Sequence, residues 1–112
     1  MTATGERLPL EGPCDATCSV RRAAMILDGK WTTLIVRDLL SGKKRFSELQ
    51  RSLQGISPRM LSARLAMLEG NGLITKKIYP TVPPRTEYAL TARGWKVEPV
   101  IRALHEFGEL VA

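Results

Sequence analysis

The sequence predicts a mainly α fold of the α+β class, in which short helices precede a two-stranded ribbon and a long terminal helix. Three observations predict it. Residues 57–70 place leucines at i, i+4 and i+7, which is one stripe of a helix. Residues 73–79 and 85–90 alternate like strands on either side of a proline-rich loop. Residues 92–111 again repeat apolar side chains with a helical period. A chain of 112 residues is the length of one domain.

The first two predicted helices occupy residues 19–27 and 31–40, with a glycine-containing turn between them. The second is apolar over more than half of its circumference, so we expect it to lie at the centre of the core. Residues 1–17 are rich in proline, glycine and threonine, and they are predicted to form a flexible arm. Residues 18–112 are then the folded domain.

Two further helices are predicted at residues 47–53 and 57–70. Ser47 to Gln50 has the pattern of a capping box, in which the serine and glutamine side chains satisfy each other's backbone N–H groups. Gln54-Gly55-Ile56 is a tight connection, and Ser57 followed by a proline begins the next helix. A helix, a short glycine-containing turn and a second helix predict a helix-turn-helix unit.

The face of residues 57–70 opposite the leucines is small and polar, with one long cation near its N-terminus. A helix that enters the DNA major groove needs such a face, because small side chains allow close approach and nearby donors can read base edges. An ordinary amphipathic surface helix would show the same pattern, and methionine is more often a core residue. The predicted base-contacting residues are Ser57, Arg59, Met60, Ser62 and Ala63.

Residues 73–79 and 85–90 predict two strands joined by the loop 80–84, whose three prolines prevent it from pairing in a sheet. A stiff ribbon that follows a helix-turn-helix unit is the wing of a winged helix-turn-helix fold. The cations and the serine that flank these elements are predicted to contact phosphates or the minor groove, although a solvated turn is the simpler interpretation of residues 43–45. They are Lys43, Lys44, Arg45, Ser47, Arg64, Lys76, Lys77 and Arg85.

The charge balance favours a polyanionic partner. Seventeen Lys and Arg against eleven Asp and Glu give a net charge of +6 at pH 7, and between Ser41 and Pro84 the only acids are Glu48 and Glu69. Double-stranded DNA is therefore expected as the partner, ahead of a membrane surface. The alternative is a winged-helix module that binds protein or RNA without a specific operator. RNA binding is less favoured because the chain offers few aromatic side chains for stacking on bases.

Other classes of protein find little support in the sequence. The N-terminal residues carry charges and no apolar stretch, and no run approaches the roughly 20 residues of a membrane span, so a cytoplasmic protein is expected. No cofactor or metal site is predicted, because Cys14-x-x-x-Cys18 is not a standard zinc spacing and His105 is the only histidine. Without paired carboxylates or a phosphate-binding glycine loop, an enzyme is not expected.

The last predicted helix, residues 92–111, is more apolar than a tail beside a small domain requires. Pro99 is expected to kink it or to divide it in two. A second copy of the chain is the expected partner of this surface, and packing against the chain's own core is the alternative. The predicted dimer-interface residues of helices 19–27 and 92–111 are Val20, Ala24, Val97, Ile101, Leu104, Phe107 and Val111.

Several short strings occur in order along most of the chain: Gly29-Lys30-Trp31, Arg45-Phe46-Ser47-Glu48-Leu49, Ile56-Ser57-x-x-Met60-Leu61-x-x-Arg64-Leu65, Gly72-Leu73-Ile74, Tyr79-Pro80-x-Val82-Pro83-Pro84-Arg85-x-Glu87-Tyr88 and Leu90-Thr91. At these spacings they resemble the HxlR-type winged helix-turn-helix transcriptional regulators of bacteria. The resemblance implies a homodimer whose first and last helices form the interface and whose recognition helices enter successive major grooves of a pseudo-palindromic operator. It also implies a local repressor or activator, often responsive to electrophiles or oxidants.

Cys18 falls where members of that family commonly carry a cysteine before the first helix, followed by proline. This chain has Ser19 instead of the proline, and Cys14 is an addition. The N-terminal end of a helix and the arginines that follow favour a thiolate at Cys18, so a small electrophile or oxidant is a predicted further partner. A partly buried packing residue is the alternative. A bridge between the two cysteines requires that residues 14–18 do not form a regular helix.

Overall fold

The computed structural model describes residues 12–112; residues 1–11, most of the predicted flexible arm, lie outside the described part. The helices are α1 (Ser19–Ile26), α2 (Gly29–Leu39), α3 (Phe46–Ser52), α4 (Pro58–Gly70), α5 (Ala92–Trp95) and α6 (Glu98–Leu110). The strands are β1 (Lys44–Arg45), β2 (Ile74–Tyr79) and β3 (Arg85–Leu90). This arrangement confirms the mainly α fold with a helix-turn-helix unit and a wing.

The sheet has three strands, whereas the sequence predicts two. β3 lies between β1 and β2 and is antiparallel to both. The added strand β1 pairs Lys44 with Tyr88 and Arg45 with Glu87. A strand of two residues is too short to show alternation, so its sequence carries no periodic signal of it. The wing itself is the predicted β2–β3 ribbon, and β1 joins the ribbon to the start of α3.

The core is built around α2, as predicted. Its Ile35, Val36 and Leu39 are buried, and it contacts α3, α4, α6 and β3. The leucine stripe of α4, Leu61, Leu65 and Leu68, is buried against this centre. Each buried leucine contributes about 1.5–3 kcal/mol to the free energy of unfolding. The stripe therefore holds α4 firmly by one face.

The start of α4 follows the predicted local signals. The Ser57 hydroxyl accepts the backbone N–H of Met60 at 3.0 Å, and Pro58 occupies the first turn. After the helix, Gly72 adopts a φ of 76°, in the left-handed region that glycine tolerates best. The chain then enters β2, because the N–H of Leu73 bonds back to the carbonyl of Leu68 at 3.0 Å.

The start of α3 differs from the prediction. The helix begins at Phe46, so Arg45 is the capping residue, and the Glu48 carboxylate accepts its backbone N–H at 2.8 Å. This hydrogen bond lowers the pKa of Glu48. The predicted box of Ser47 and Gln50 is therefore wrong, because strand β1 leads into the helix earlier than the sequence pattern indicates.

The terminal helix is divided, which is one of the two outcomes predicted at Pro99. α5 ends before α6 begins, and Pro99 lies in the first turn of α6. Val97 and Ile101 are half-buried and pack against the chain's own core. Further along α6, Phe107 is 62% exposed and Leu110 is 83% exposed. Within residues 12–112 no side chain of α1 or α6 is fully buried, so both helices carry apolar surface that this chain leaves open.

Candidate nucleic-acid interface

The outer face of α4 is turned to solvent. Arg59, Ser62 and Ala63 are exposed opposite the buried leucines. Met60 is 36% exposed, so it does not take the core position that methionine usually occupies. The Ser57 hydroxyl uses its oxygen to cap the helix, and its O–H can still donate to a partner. All five predicted base-contacting residues therefore lie together on one accessible surface.

A groove runs between the wing loop and the start of α3. It has a volume of about 570 Å³ and is lined by Arg45, Phe46 and Ser47 on one side and residues 81–86 on the other. Two arginines line it, and none of the described lining residues is acidic. The groove thus brings the predicted phosphate contacts Arg45, Ser47 and Arg85 to one place, although they are far apart in sequence.

Arg85 is held at the base of the wing by an aromatic ring. Its guanidinium lies 4.6 Å from the ring centroid of Tyr79, and Lys77 lies over the same ring at 5.1 Å. The Tyr79 hydroxyl donates to Glu87 at 3.0 Å, and Lys43 lies 4.0 Å from the same carboxylate oxygen. Exposed ion pairs stabilise proteins little, so this cluster mainly orients its cations.

Tyr79 and Glu87 are candidate site positions that the sequence pattern does not single out. Tyr79 lies opposite Arg85 in the register of β2 and β3, and Glu87 lies opposite Lys77. Residues directly opposite one another in an antiparallel pair point to the same face. The sequence shows the alternation within each strand. Which residues of β2 and β3 lie opposite one another becomes known only from the register of the two strands.

Lys76 and Lys77 lie on opposite faces of the wing. Lys77 faces outward with Tyr79, whereas Lys76 lies opposite Tyr88, whose ring is buried. Lys44, on β1, also lies opposite Tyr88 and is half-buried. Successive side chains of a strand alternate, so the two neighbouring lysines cannot contact the same phosphate.

Arg64 is set apart from the other predicted phosphate contacts. It is half-buried. Its Nη2 lies 3.7 Å from the position that a Cβ on Gly29 would take, so the guanidinium lies beside the start of α2. Five residues separate it from Arg59, which corresponds to a rotation of about 140° around the helix. The structure therefore does not bring Arg64 to the exposed face of α4.

The two cysteines lie just before α1. Both are free thiols; Cys14 is exposed and Cys18 is half-buried. The backbone N–H of Arg21, in the first turn of the helix, lowers the pKa of Cys18 most, and the Cys14 thiol and the charge of Arg22 lower it further. The hydrogen bond to Cys18 raises the pKa of Cys14. Cys18 is thus the thiol that ionises more readily.

Two negative findings apply to the part of the chain that the structure describes. No group of three or more His, Cys, Asp or Glu side chains in residues 12–112 is placed to hold a metal ion. None of the described helices has the length and apolar character needed to cross a bilayer.

A profile of the HxlR-like helix-turn-helix family matches residues 26–112, the part that contains the helix-turn-helix unit and the wing. The chain belongs to the HxlR-like family. Its relatives are transcriptional regulators, not enzymes. This HxlR-like protein is accordingly a DNA-binding transcriptional regulator, which agrees with the exposed face of α4.

Several proteins illustrate the relationship. An uncharacterized HTH-type transcriptional regulator of Synechocystis sp. is 41% identical over 99 residues, which covers 86% of this chain and 73% of that protein. The crystal structure of a regulator described as a MarR-family member, from Porphyromonas gingivalis W83, is 45% identical with a TM-score of 0.84, and the match covers 88% of this chain and 97% of that one. The reduced form of the redox regulator HypR is 37% identical with a TM-score of 0.77, covering 80% and 89%.

Proposed function

We propose that this HxlR-like regulator acts in the cytoplasm as a homodimer that binds a pseudo-palindromic operator. One observation carries the proposal: α4 is buried along its leucine face and open along its polar face. A helix held in this way can enter the major groove without rearranging the core. The surrounding cations, from β1, the start of α3 and the wing, supply contacts to the flanking phosphates.

The uncovered faces of α1 and α6 support the homodimer. Val20 and Ala24 on α1 are exposed, as are Leu104 and Phe107 on α6 and Val111 directly after it. Contiguous apolar surface of this kind marks an interface with another protein. A twofold dimer uses the same faces on both copies and presents two recognition helices. To enter successive major grooves, these helices must lie about 34–36 Å apart.

The side chains on α4 take distinct roles in this proposal. Arg59 is the bidentate donor to a guanine, Ala63 contacts a thymine methyl group, and Ser62 bonds to a base edge. Arg85 extends from the wing to the minor groove or its phosphates. Val97 and Ile101 have a smaller part in the dimer than the sequence predicts, because they already pack on the core.

In vitro selection of bound duplexes, followed by affinity measurements on two arginine variants, tests this function. Arg59→Ala should cost about 1–3 kcal/mol on the selected duplex and relax the preference at one base pair. The matched control is Arg102→Ala on α6, which also removes one arginine and only releases Glu98. It should keep the sequence preference. If the wild-type protein binds selected and random duplexes equally at physiological salt, the proposed function is wrong and the protein- or RNA-binding alternative is favoured.

We further propose that an oxidant or electrophile regulates DNA binding through Cys18. Two observations support this. Cys18 immediately precedes α1, a helix of the proposed dimer interface, and the similar protein HypR is named as a redox regulator. A mobility-shift assay with and without peroxide or diamide, on wild type and Cys18→Ser, tests the proposal. Equal affinity in all four cases contradicts it.

A further inference from the structure

The segment before α1 brings two sulfur atoms together. The side chains of Cys14 and Cys18 are neighbours, since each of them shifts the pKa of the other. Between them the chain forms a tight turn, in which the Cys18 N–H donates to the Asp15 carbonyl at 3.0 Å. The Asp15 carboxylate accepts the Thr17 N–H at 2.9 Å and the Thr17 hydroxyl at 2.6 Å. Because residues 14–18 form a turn and not a helix, thiols four residues apart can meet.

Both cysteines are attached to the first turn of α1. The Arg21 guanidinium donates to the Cys14 carbonyl at 2.8 Å, and the carbonyl of Cys18 accepts the Arg22 N–H at 3.1 Å. Arg21 therefore holds Cys14 over the end of the helix on which Cys18 lies. The exposed position of Cys14 and the partial exposure of Cys18 leave the pair open to a small solute.

The two thiols differ in acidity, and the difference assigns them different roles. The pKa of Cys18 lies below its ordinary value, chiefly because of the backbone N–H of Arg21, whereas the pKa of Cys14 lies above it because its thiol donates to Cys18. The thiolate is the form of cysteine that attacks an oxidant. Cys18 is thus the attacking sulfur, and Cys14 is the thiol in position to react second.

We propose that Cys14 and Cys18 form a dithiol that reduces hydroperoxides and closes to a disulfide within one chain. In the first step the Cys18 thiolate attacks the peroxide; a sulfur–oxygen bond forms, the oxygen–oxygen bond breaks, and the leaving oxygen takes up one proton from the solvent and departs as water or alcohol. In the second step the Cys14 sulfur attacks the sulfenic sulfur of Cys18. A sulfur–sulfur bond forms, the hydroxyl group leaves and takes the Cys14 proton as water. Two electrons pass from the thiols to the peroxide.

The effect of this bond on regulation rests on the proposed function, whereas the thiol chemistry does not. A disulfide has a sulfur–sulfur distance of about 2.05 Å, so closure draws Cys14 onto the start of α1. α1 carries the exposed side chains of Val20 and Ala24, which lie in the proposed dimer interface. A change at this end of the helix alters how two copies meet and how far apart their recognition helices lie.

The chemistry is tested with the full-length wild-type protein, Cys14→Ser and Cys18→Ser, each treated with hydrogen peroxide with and without dimedone. Trypsin places both cysteines in one peptide, residues 8–21, so an intrachain bond appears as the loss of two hydrogens from that peptide. We expect this loss in wild type only. Cys14→Ser should accumulate a dimedone adduct at Cys18, because the second thiol is missing. Cys18→Ser should give neither product under conditions that oxidise the wild type completely.

Arg21→Ala tests the geometry of the pair. It removes the side chain that holds Cys14 but keeps the backbone N–H that favours the Cys18 thiolate. Formation of the sulfenic acid should keep its wild-type rate, and closure of the disulfide should slow, so dimedone should trap more adduct than in wild type. Unchanged trapping would show that the tether has no role in bringing the thiols together, and would contradict this part of the proposal.

Other results overturn the dithiol. A covalent dimer on a non-reducing gel as the main product would show that the bond forms between chains. A stable sulfenic acid at Cys18 in the wild type would show that Cys14 does not react. The two proposals can fail separately. If the protein forms the intrachain bond but selects no duplex, the dithiol proposal stands and the proposed operator binding is wrong. If the protein selects a duplex but does not form the bond, the proposed operator binding stands and the dithiol proposal is wrong.

Discussion

Gly94 is a position where one added methyl group should destabilise the protein strongly. It is buried in α5, against the residue that precedes β2. A Cβ at this position would overlap the carbonyl oxygen of Leu73, and it would lie 3.1 Å from the carbonyl carbon of Leu73 and from Cδ2 of Leu90. The carbonyl group cannot move away freely, because its oxygen accepts the Thr91 N–H at 3.0 Å.

The expected cost of Gly94→Ala has two parts. Overpacking a well-packed site costs about 1–3 kcal/mol, and loss of the Thr91 hydrogen bond costs about 1 kcal/mol. The free energy of unfolding should therefore fall by about 2–4 kcal/mol. For a domain of this size, that decrease corresponds to a Tm lower by roughly 10–20 °C.

Urea unfolding followed by circular dichroism measures this effect. The control is Gly70→Ala, at the end of α4, where an added Cβ meets no atom of the described chain within 4 Å. The control should be neutral or stabilising by up to about 1 kcal/mol, because alanine favours the helix more than glycine does. All three proteins must be compared at one concentration, since the stability of a dimer depends on it. If Gly94→Ala unfolds at the wild-type midpoint, the close approach of α5 to Leu73 is refuted.

Four further predictions concern the interface, the DNA contacts, the core and the thiols. Phe107→Glu should give a folded monomer in sedimentation velocity, because it places a charge on the exposed apolar face of α6; a dimer at micromolar concentration would contradict the proposed interface. Lys44→Ala should weaken binding to every duplex similarly and reduce the salt slope by about one unit, and a sequence-dependent loss would argue against a phosphate contact. Leu65→Ala, which empties a buried site, should cost about 2–5 kcal/mol in urea unfolding, and a smaller cost would show that the site collapses. Iodoacetamide should alkylate Cys18 with an inflection at a lower pH than Cys14, because the pKa of Cys18 is lowered from its ordinary value and that of Cys14 is raised; mass spectrometry across a pH series would reveal the reverse order if the assignment is wrong.

Much of the interface could be predicted because its signals are local. The serine cap and the first-turn proline of α4 act within a few residues of their own positions, and the structure confirms both. The same holds for the two wing strands, whose bounds differ from prediction by at most one residue. The accessible positions of Arg59 and Ser62 follow directly from the helical period once the leucines are known to be buried.

The electrostatic details of the site could not be predicted, because they depend on residues that are distant in sequence. Arg85 stacks on Tyr79, and Lys43 approaches Glu87, only because β3 pairs in one particular register. Arg64 has the same charge as Arg59 on the same helix, yet it lies against α2. The sequence alone treats these cations as equivalent, since it does not show which neighbours each of them meets.

The sequence by itself determined the order of the helices, the helix-turn-helix unit, the wing and the polar outer face of α4. Each of these depends on periodicity and on end signals, which operate over one or two turns of chain. Only the tertiary structure decided the third strand, the Glu48 cap, and the packing of Val97 and Ile101 on the core. A two-residue strand exists only because a neighbouring strand offers free backbone groups, and an apolar side chain finds its partner only when folding brings two segments together.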